Sequence, residues 1–265
     1  MAQSDVQVAV AAAQAGAAVV RARFGAPLVR FQKAPLDFAT DADIAAENAI
    51  LDVLRADRPA DAYQGEELGR SGNSSSDRSW LIDPLCGTLN FAAGTPIVAV
   101  NVALRSGNRI EVAASADPFA GEVFWTDGQH ARARRDGTDL TLRPSAVTNL
   151  VEVNIDPPFP NLDRFQAVRM LADSAFTAAF RPRVLSTTLP LAWVAAGRRA
   201  AYVTDGHLSD SVHFASGIAL CQAAGCVVTG LEGQPLHTGV GGLVAAADGA
   251  THAALIEMIA AQFTT

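Results

Sequence analysis

Trp80-Leu-Ile-Asp-Pro-Leu-Cys-Gly-Thr-Leu-Asn-Phe91 is the stretch on which the reading of the whole chain turns. Trp80 to Ile82 are apolar and β-prone, so they form a buried strand running into a sharp turn. Proline has no N–H to continue a ladder, and Asp83-Pro84 is expected to end that strand. Gly87-Thr88 then offers backbone N–H groups and a hydroxyl at an expected helix start. Such an end suits an anion, because its unpaired donors and the helix dipole point the same way.

Outward from this stretch, helical and strand patterns alternate. The first helix spans 5–24 with Ser4 or Asp5 as cap, and a second covers 41–56 after Thr40. The polar run Asn73–Asp77 is expected to be a mobile lid. Strands are predicted at 80–83, 97–105, 110–116 and 121–126. After Pro144 the pattern becomes strand 150–155, helix 162–175, strand 183–186, helix 188–197 and strand 200–204. A helix at 211–224 with Asp210 as N-cap, a strand at 226–229 and a helix from 250 follow. The fold class is α/β in the broad sense, with an α+β half at 1–145 and an α/β half at 146–265 that carries His213. No linker separates them, so the halves are expected to pack as one globular unit.

Composition narrows the function. The net charge of −7 and the scattered arginines argue against a nucleic-acid surface and point to a small-molecule substrate. Three cysteines, at 86, 221 and 226, form no metal-knuckle pattern and fit a reduced, cytoplasmic compartment. The apolar stretch Val6–Val20 is interrupted by polar residues and is preceded by Asp5 with no basic n-region, so it reads as a helix and not as a membrane span or signal peptide.

Several ordered motifs give the chain a kinship. The quoted stretch resembles the signature W-x-I-D-P-[IL]-D-G-T-x-N-F of the inositol monophosphatase family, with Cys86 in place of the second aspartate. Asp37-Phe-Ala-Thr-Asp-Ala-Asp43, with Lys33 ahead of it, resembles D-[FL]-x-T-x-x-D, and Gly65-Glu66-Glu67 resembles the G-E-E strand end. Val212-His213-Phe-Ala-Ser-Gly217 stands where the family carries W-D-x-A-A-G, so His213 replaces another aspartate. The resemblance implies a layered α/β/α/β/α sandwich, a homodimer, and a pocket in which Mg²⁺ ions are held by a glutamate, three aspartates and a backbone carbonyl. It places Glu66, Asp83 and the Leu85 carbonyl at the first ion, with Asp43 supporting it through water.

The two replacements carry the functional question. Mg²⁺ takes hard oxygen ligands, and neither thiol nor imidazole suits it. Three readings are open. In one, no cofactor is needed: Cys86 and His213, with Glu66, Asp83 and Lys33, run acid–base or covalent chemistry such as cyclisation, isomerisation or elimination. In another, a phosphate-ester hydrolase works with a single Mg²⁺, or with Zn²⁺ or Fe²⁺ on Cys86, His213, Asp83 and Glu66. In the third, the protein binds a ligand without turning it over.

Other residues take supporting places. Lys33 is the only lysine among twenty basic residues, and beside Asp37 at the mouth of the pocket it can hold an anion or donate a proton, with burial lowering its pKa. Gly87 and Thr88 are expected to hold an anion, and Asp43, Asp37, Val212 and His207 to border the substrate. Ser186-Thr187-Thr188 departs from the Gly-Ser/Thr-Ala usual in the family. Phe91, Ile97, Val212 and Phe214 make that region more apolar than a sugar phosphate needs.

Overall fold

A computed structural model of the chain describes residues 3–35 and 37–263. Its first elements are α1 (Asp5–Arg23), the strands β1 (Arg30–Ala34) and β2 (Asp37–Thr40), and α2 (Asp41–Asp57). The strands β3 (Ala62–Gly65), β4 (Arg70–Gly72) and β5 (Arg78–Cys86) lead into the short helix α3 (Thr88–Ala92). Five strands follow: β6 (Ala99–Ser106), β7 (Arg109–Asp117), β8 (Glu122–Thr126), β9 (Ala131–Arg135) and β10 (Thr138–Thr141). Next come β11 (Leu150–Asn154), α4 (Ala167–Ala172), α5 (Ser174–Ala179) and β12 (Arg181–Arg183). The chain continues through α6 (Leu189–Ala195), β13 (Ala201–Thr204) and α7 (Ala215–Ala224). It then forms β14 (Val227–Thr229), β15 (Leu243–Ala246) and α8 (Gly249–Phe263).

These elements form two compact units, divided differently from the expected cut at 145/146. One comprises Met1–Thr141 together with the returning segments Thr187–Leu189 and Val212–Leu220. The other comprises Leu142–Ser186, Pro190–Ser211 and Cys221–Thr265. His213, assigned from sequence to the C-terminal half, therefore belongs to the first unit.

The first unit is built on an eight-stranded sheet of order β10-β9-β8-β7-β6-β5-β3-β4. Side chains alternate across its pleat. Trp80 and Ile82 of β5 join Val100, Val102 and Leu104 of β6 in the core shared with α1 and α2. Leu81 and Ala103 point to the opposite face and pack on Val212 and Ala219. Covering both faces explains why β5 reads as an unbroken apolar run. Both helices start at capping boxes. Ser4 accepts from the Gln7 N–H while the Gln7 side chain accepts from the Ser4 N–H, and Thr40 and Asp43 repeat the arrangement for α2. The second unit has a five-stranded sheet of order β12-β11-β13-β15-β14, its core closed by residues of α4, α5 and α8.

Four expectations change. Asp83-Pro84 does not end β5: pairing with β6 holds at Asp83–Asn101, slips, and resumes at Cys86–Ala99. A bulge accommodates the missing proline donor and carries the strand on. Asn73–Asp77 is tied down and is no free lid, since Asn73 N–H donates to the Asp61 carbonyl and Asn73 Nδ2 to the Ala60 carbonyl. The helix expected at 162–175 is two helices, because Asp173 is extended and caps α5 by accepting from the Ala175 N–H. The helix expected at 211–224 starts at Ala215, and Asp210 lies ahead of it in left-handed backbone (φ 59°), so it is no N-cap.

Gly65 ends β3 directly beneath Glu47. A Cβ there would sit 1.7 Å from Glu47 Oε1. That buried carboxylate accepts from the Glu67 N–H at 2.8 Å and the Leu68 N–H at 2.9 Å, and so fixes the backbone beside Glu66. Gly65→Ala is expected to destabilise the fold by about 1–3 kcal/mol through overpacking. Urea unfolding measures this, and an unchanged midpoint would contradict the packing described.

Candidate active site

The bulge in β5 brings Asp83 and Cys86 into one place. Asp83 has no solvent exposure, and its Oδ1 accepts from the Leu85 N–H at 3.2 Å. Its Oδ2 lies 2.8 Å from His213 Nδ1, on the segment leading into α7. The same ring nitrogen is 3.8 Å from Glu66 Oε2. Cys86 Sγ accepts from the Thr188 N–H at 3.2 Å and from Thr188 Oγ1 at 3.0 Å, and it hydrogen-bonds His213 as well. One donor atom from each of Asp83, Cys86 and His213 falls within 4.8 Å of the others.

The sulfur stands at the end of a directional chain. Ser115 Oγ donates to Asn101 Oδ1 at 2.6 Å, Asn101 Nδ2 donates to Thr188 Oγ1 at 2.9 Å, and the Thr188 hydroxyl is left to donate to Cys86. Thr187 Oγ1 donates to the Cys86 carbonyl at 2.9 Å and fixes the backbone at the same residue. Buried polar groups satisfied in this way hold a single arrangement.

Electrostatics then divide the ionisable groups. Burial pulls the His213 pKa down, but the Asp83 carboxylate, the hydrogen bonds to Asp83 and Cys86, and Glu66 raise it well above the ordinary value. Burial pushes Asp83 up, and His213 outweighs this to leave it below the usual carboxylate range. Glu66 is raised to about 8, first by burial and then by the Asp83 charge. Burial and Asp83 push the Cys86 thiol up to about 11. At neutral pH the cluster is a carboxylate on Asp83, an imidazolium on His213, a thiol on Cys86 and a carboxyl on Glu66 within reach of titration.

The remaining expected residues divide clearly. Lys33 does not sit against Asp37; its Nζ is 2.9 Å from Glu66 Oε1 and 2.6 Å from Glu67 Oε1. Its pKa is raised, not lowered, because these carboxylates outweigh the effect of burial. Asp37 stays exposed on the hairpin of β1 and β2. Asp43 is buried in the capping box of α2 and also accepts from Thr88 Oγ1 at 2.9 Å. The Thr88 hydroxyl thus turns inward, where it also lies 3.2 Å from the Leu85 carbonyl. Gly87 takes the left-handed backbone (φ 110°) that lets α3 start immediately after Cys86. Val212 packs with Leu81, Ala103, Ala113 and Ala219, so it is part of the core. His207 is exposed on a loop of the second unit. Thr188 and Asn101 were not among the expected site residues, although the unusual Ser186-Thr187-Thr188 already marked the first of them.

Comparison with known proteins fits this architecture. The model of the inositol monophosphatase family matches residues 1–263. The inositol-1-monophosphatase of Caulobacter vibrioides is 30% identical over 234 residues, covering 87% of this chain and 90% of that protein. Nus factor SuhB of Escherichia coli K12 is 35% identical over 222 residues, covering 81% and 79%. Among solved structures, the extragenic suppressor protein SuhB of Bartonella henselae aligns with a TM-score of 0.83 at 26% identity, covering 96% and 97%. The inositol monophosphatase of Anabaena aligns with a TM-score of 0.75 at 26% identity, covering 97% and 95%. The layered α/β fold expected from the motifs is the fold of these proteins. With a family match along nearly its whole length and a relative at 30% identity over most of both sequences, the chain belongs to the inositol monophosphatase family.

Proposed function

We propose that this family member is an enzyme that moves protons on a small metabolite in the pocket around Asp83, instead of hydrolysing phosphate esters with Mg²⁺. The observation that carries the reading is the 2.8 Å contact of His213 Nδ1 with Asp83 Oδ2. The donor set does not fit the two-ion Mg²⁺ centre that the family resemblance implies. Sulfur and imidazole stand where hard oxygen donors are needed. The acidic groups that remain are engaged by the protein's own cations, the Asp83 carboxylate by His213 and the Glu66 side chain by Lys33.

The roles follow from the divided pKa values. Asp83 stays ionised, orients the imidazole and holds its charge. The His213 imidazolium donates a proton to, or stabilises, negative charge developing on a substrate oxygen. Glu66, raised to about 8, exchanges a proton near neutral pH. Cys86 is held as a thiol between Thr188 and His213, which favours acid–base over covalent chemistry at this sulfur. Isomerisation, elimination and ring closure are the reaction classes that need only such groups. The net charge of −7 favours a small molecule over a nucleic acid as substrate. Among the described residues no helix is long and apolar enough to cross a membrane. Three cysteines without a metal-knuckle pattern favour a cytoplasmic setting. A homodimer remains part of the proposal on family resemblance.

A second reading has one observation in its favour. Asp83, Cys86 and His213 offer a carboxylate, a sulfur and an imidazole within 4.8 Å, a set suited to Zn²⁺. Metal analysis of protein purified without chelator separates the readings, since stoichiometric zinc supports the second one only.

Two outcomes are expected. With Mg²⁺ and a panel of small phosphate esters, the wild type releases phosphate no faster than a protein-free blank, whereas Cys86→Asp/His213→Asp exceeds that blank by at least about 10-fold. Hydrolysis by the wild type would overturn the proposal. The second concerns pH. His213, raised on folding, contributes stability that is complete below its unfolded pKa and lost as pH rises through the folded value. Asp83, lowered on folding, contributes stability present above the ordinary carboxylate pKa and lost as pH falls. The stability gap between wild type and His213→Gln is therefore widest from about pH 4 to about pH 6.5 and narrows on either side. Urea unfolding across pH measures it, and a gap that opens only above neutrality would contradict the ion pair.

A further inference from the structure

The end of α7 brings together two cysteines that the acid–base cluster does not use. Gly225 adopts left-handed backbone (φ 89°), its N–H donates to the Gln222 carbonyl at 3.1 Å, and the Cys226 N–H donates to the Cys221 carbonyl at 2.9 Å. These nested bonds form a Schellman cap, in which the residue after the glycine folds back onto the helix residue five positions before it. In most such caps two hydrophobic side chains meet there. Here both are cysteines, and their sulfurs are hydrogen-bonding neighbours.

The two thiols differ in access. Cys226 is half-buried, whereas Cys221 is fully buried and its thiol donates to the Leu191 carbonyl at 3.2 Å. Both are free, and both lie in the second compact unit. The 2.9 Å bond between their own backbones keeps them within the short separation that a disulfide requires. A half-exposed thiol backed by a buried partner is the arrangement of an oxidisable and a resolving cysteine.

We propose that Cys221 and Cys226 form a redox-active pair that closes into an intramolecular disulfide on exposure to peroxide. Hydrogen peroxide oxidises the Cys226 thiol to a sulfenic acid and releases water. The Cys221 sulfur then attacks the Cys226 sulfur, the S–O bond breaks, and the departing hydroxide takes the Cys221 proton as a second water. Two thiols and one peroxide give one disulfide and two waters. The bond clamps the last turn of the helix that begins two residues after His213. Within a reducing compartment such a bond is transient and reversed by small thiols, as redox-sensing disulfides are.

Peptide mass mapping of the folded, full-length protein tests this. Trypsin finds no Lys or Arg beyond Arg199, so both cysteines fall in one fragment starting at Ala200, apart from Cys86. After peroxide treatment, unfolding and alkylation, the fragment is expected to lack two hydrogens and to carry no alkyl group. Dithiothreitol restores two alkylation sites. Cys226→Ser leaves Cys221 reduced and fully alkylated under the same dose. Two alkyl groups on the wild-type fragment after peroxide would overturn the proposal. So would Cys226 as sulfinic acid beside an alkylated Cys221, or a disulfide linking either residue to Cys86.

Discussion

A carboxylate taken entirely out of water needs a cation or several donors, and Asp83 has no remaining contact with solvent. It obtains one backbone N–H, from Leu85, and one imidazolium, from His213. Glu66, raised to about 8, hydrogen-bonds Lys33, and Glu47 accepts from the backbone of Glu67 and Leu68. The acidic pocket is thus neutralised from within by a lysine, a histidine and main-chain donors. Removing one member of such a set leaves an uncompensated charge, which costs more than the pair itself contributes.

The fold delivers this arrangement through a few local devices. β5 is buried on both faces, so its end is held in a fixed register against β6. The bulge at Pro84 lets Asp83 and Cys86 serve one pocket, although a regular pleat would turn them to opposite faces. Asp43 joins two elements, capping α2 and anchoring Thr88 at the start of α3. His213 arrives because Val212 inserts beside Leu81 and Ala103 and pins the segment ahead of α7.

Much of this was legible in the residues, and the exceptions have physical causes. Capping boxes at Ser4 and Thr40 announce α1 and α2 directly, because the signal is local. The Cys86 and His213 replacements stand out against an otherwise intact motif, so the unusual donor set could be read before any geometry. The partner of Lys33 could not, since β1 and β2 form a hairpin and strand pairing leaves only a weak local mark. Val212 looked like a pocket wall because it adds to an apolar neighbourhood with Phe91, Ile97 and Phe214, while its own side chain packs on Leu81 and Ala103. The role of Thr188 depends on a chain segment returning to the sheet unit, a contact that sequence spacing does not encode.

In the proposed function, the His213 imidazolium on Asp83 takes the charge-neutralising place that the family resemblance gives to Mg²⁺. Calorimetric titration of the purified protein with MgCl₂ at neutral pH tests it directly. No saturable heat is expected up to concentrations on the order of 10 mM, because an ion would have to displace the imidazolium and accept sulfur and nitrogen ligands. Saturable binding of two ions per chain well below 1 mM, a range estimated roughly from the behaviour of oxygen-ligand sites, would contradict it.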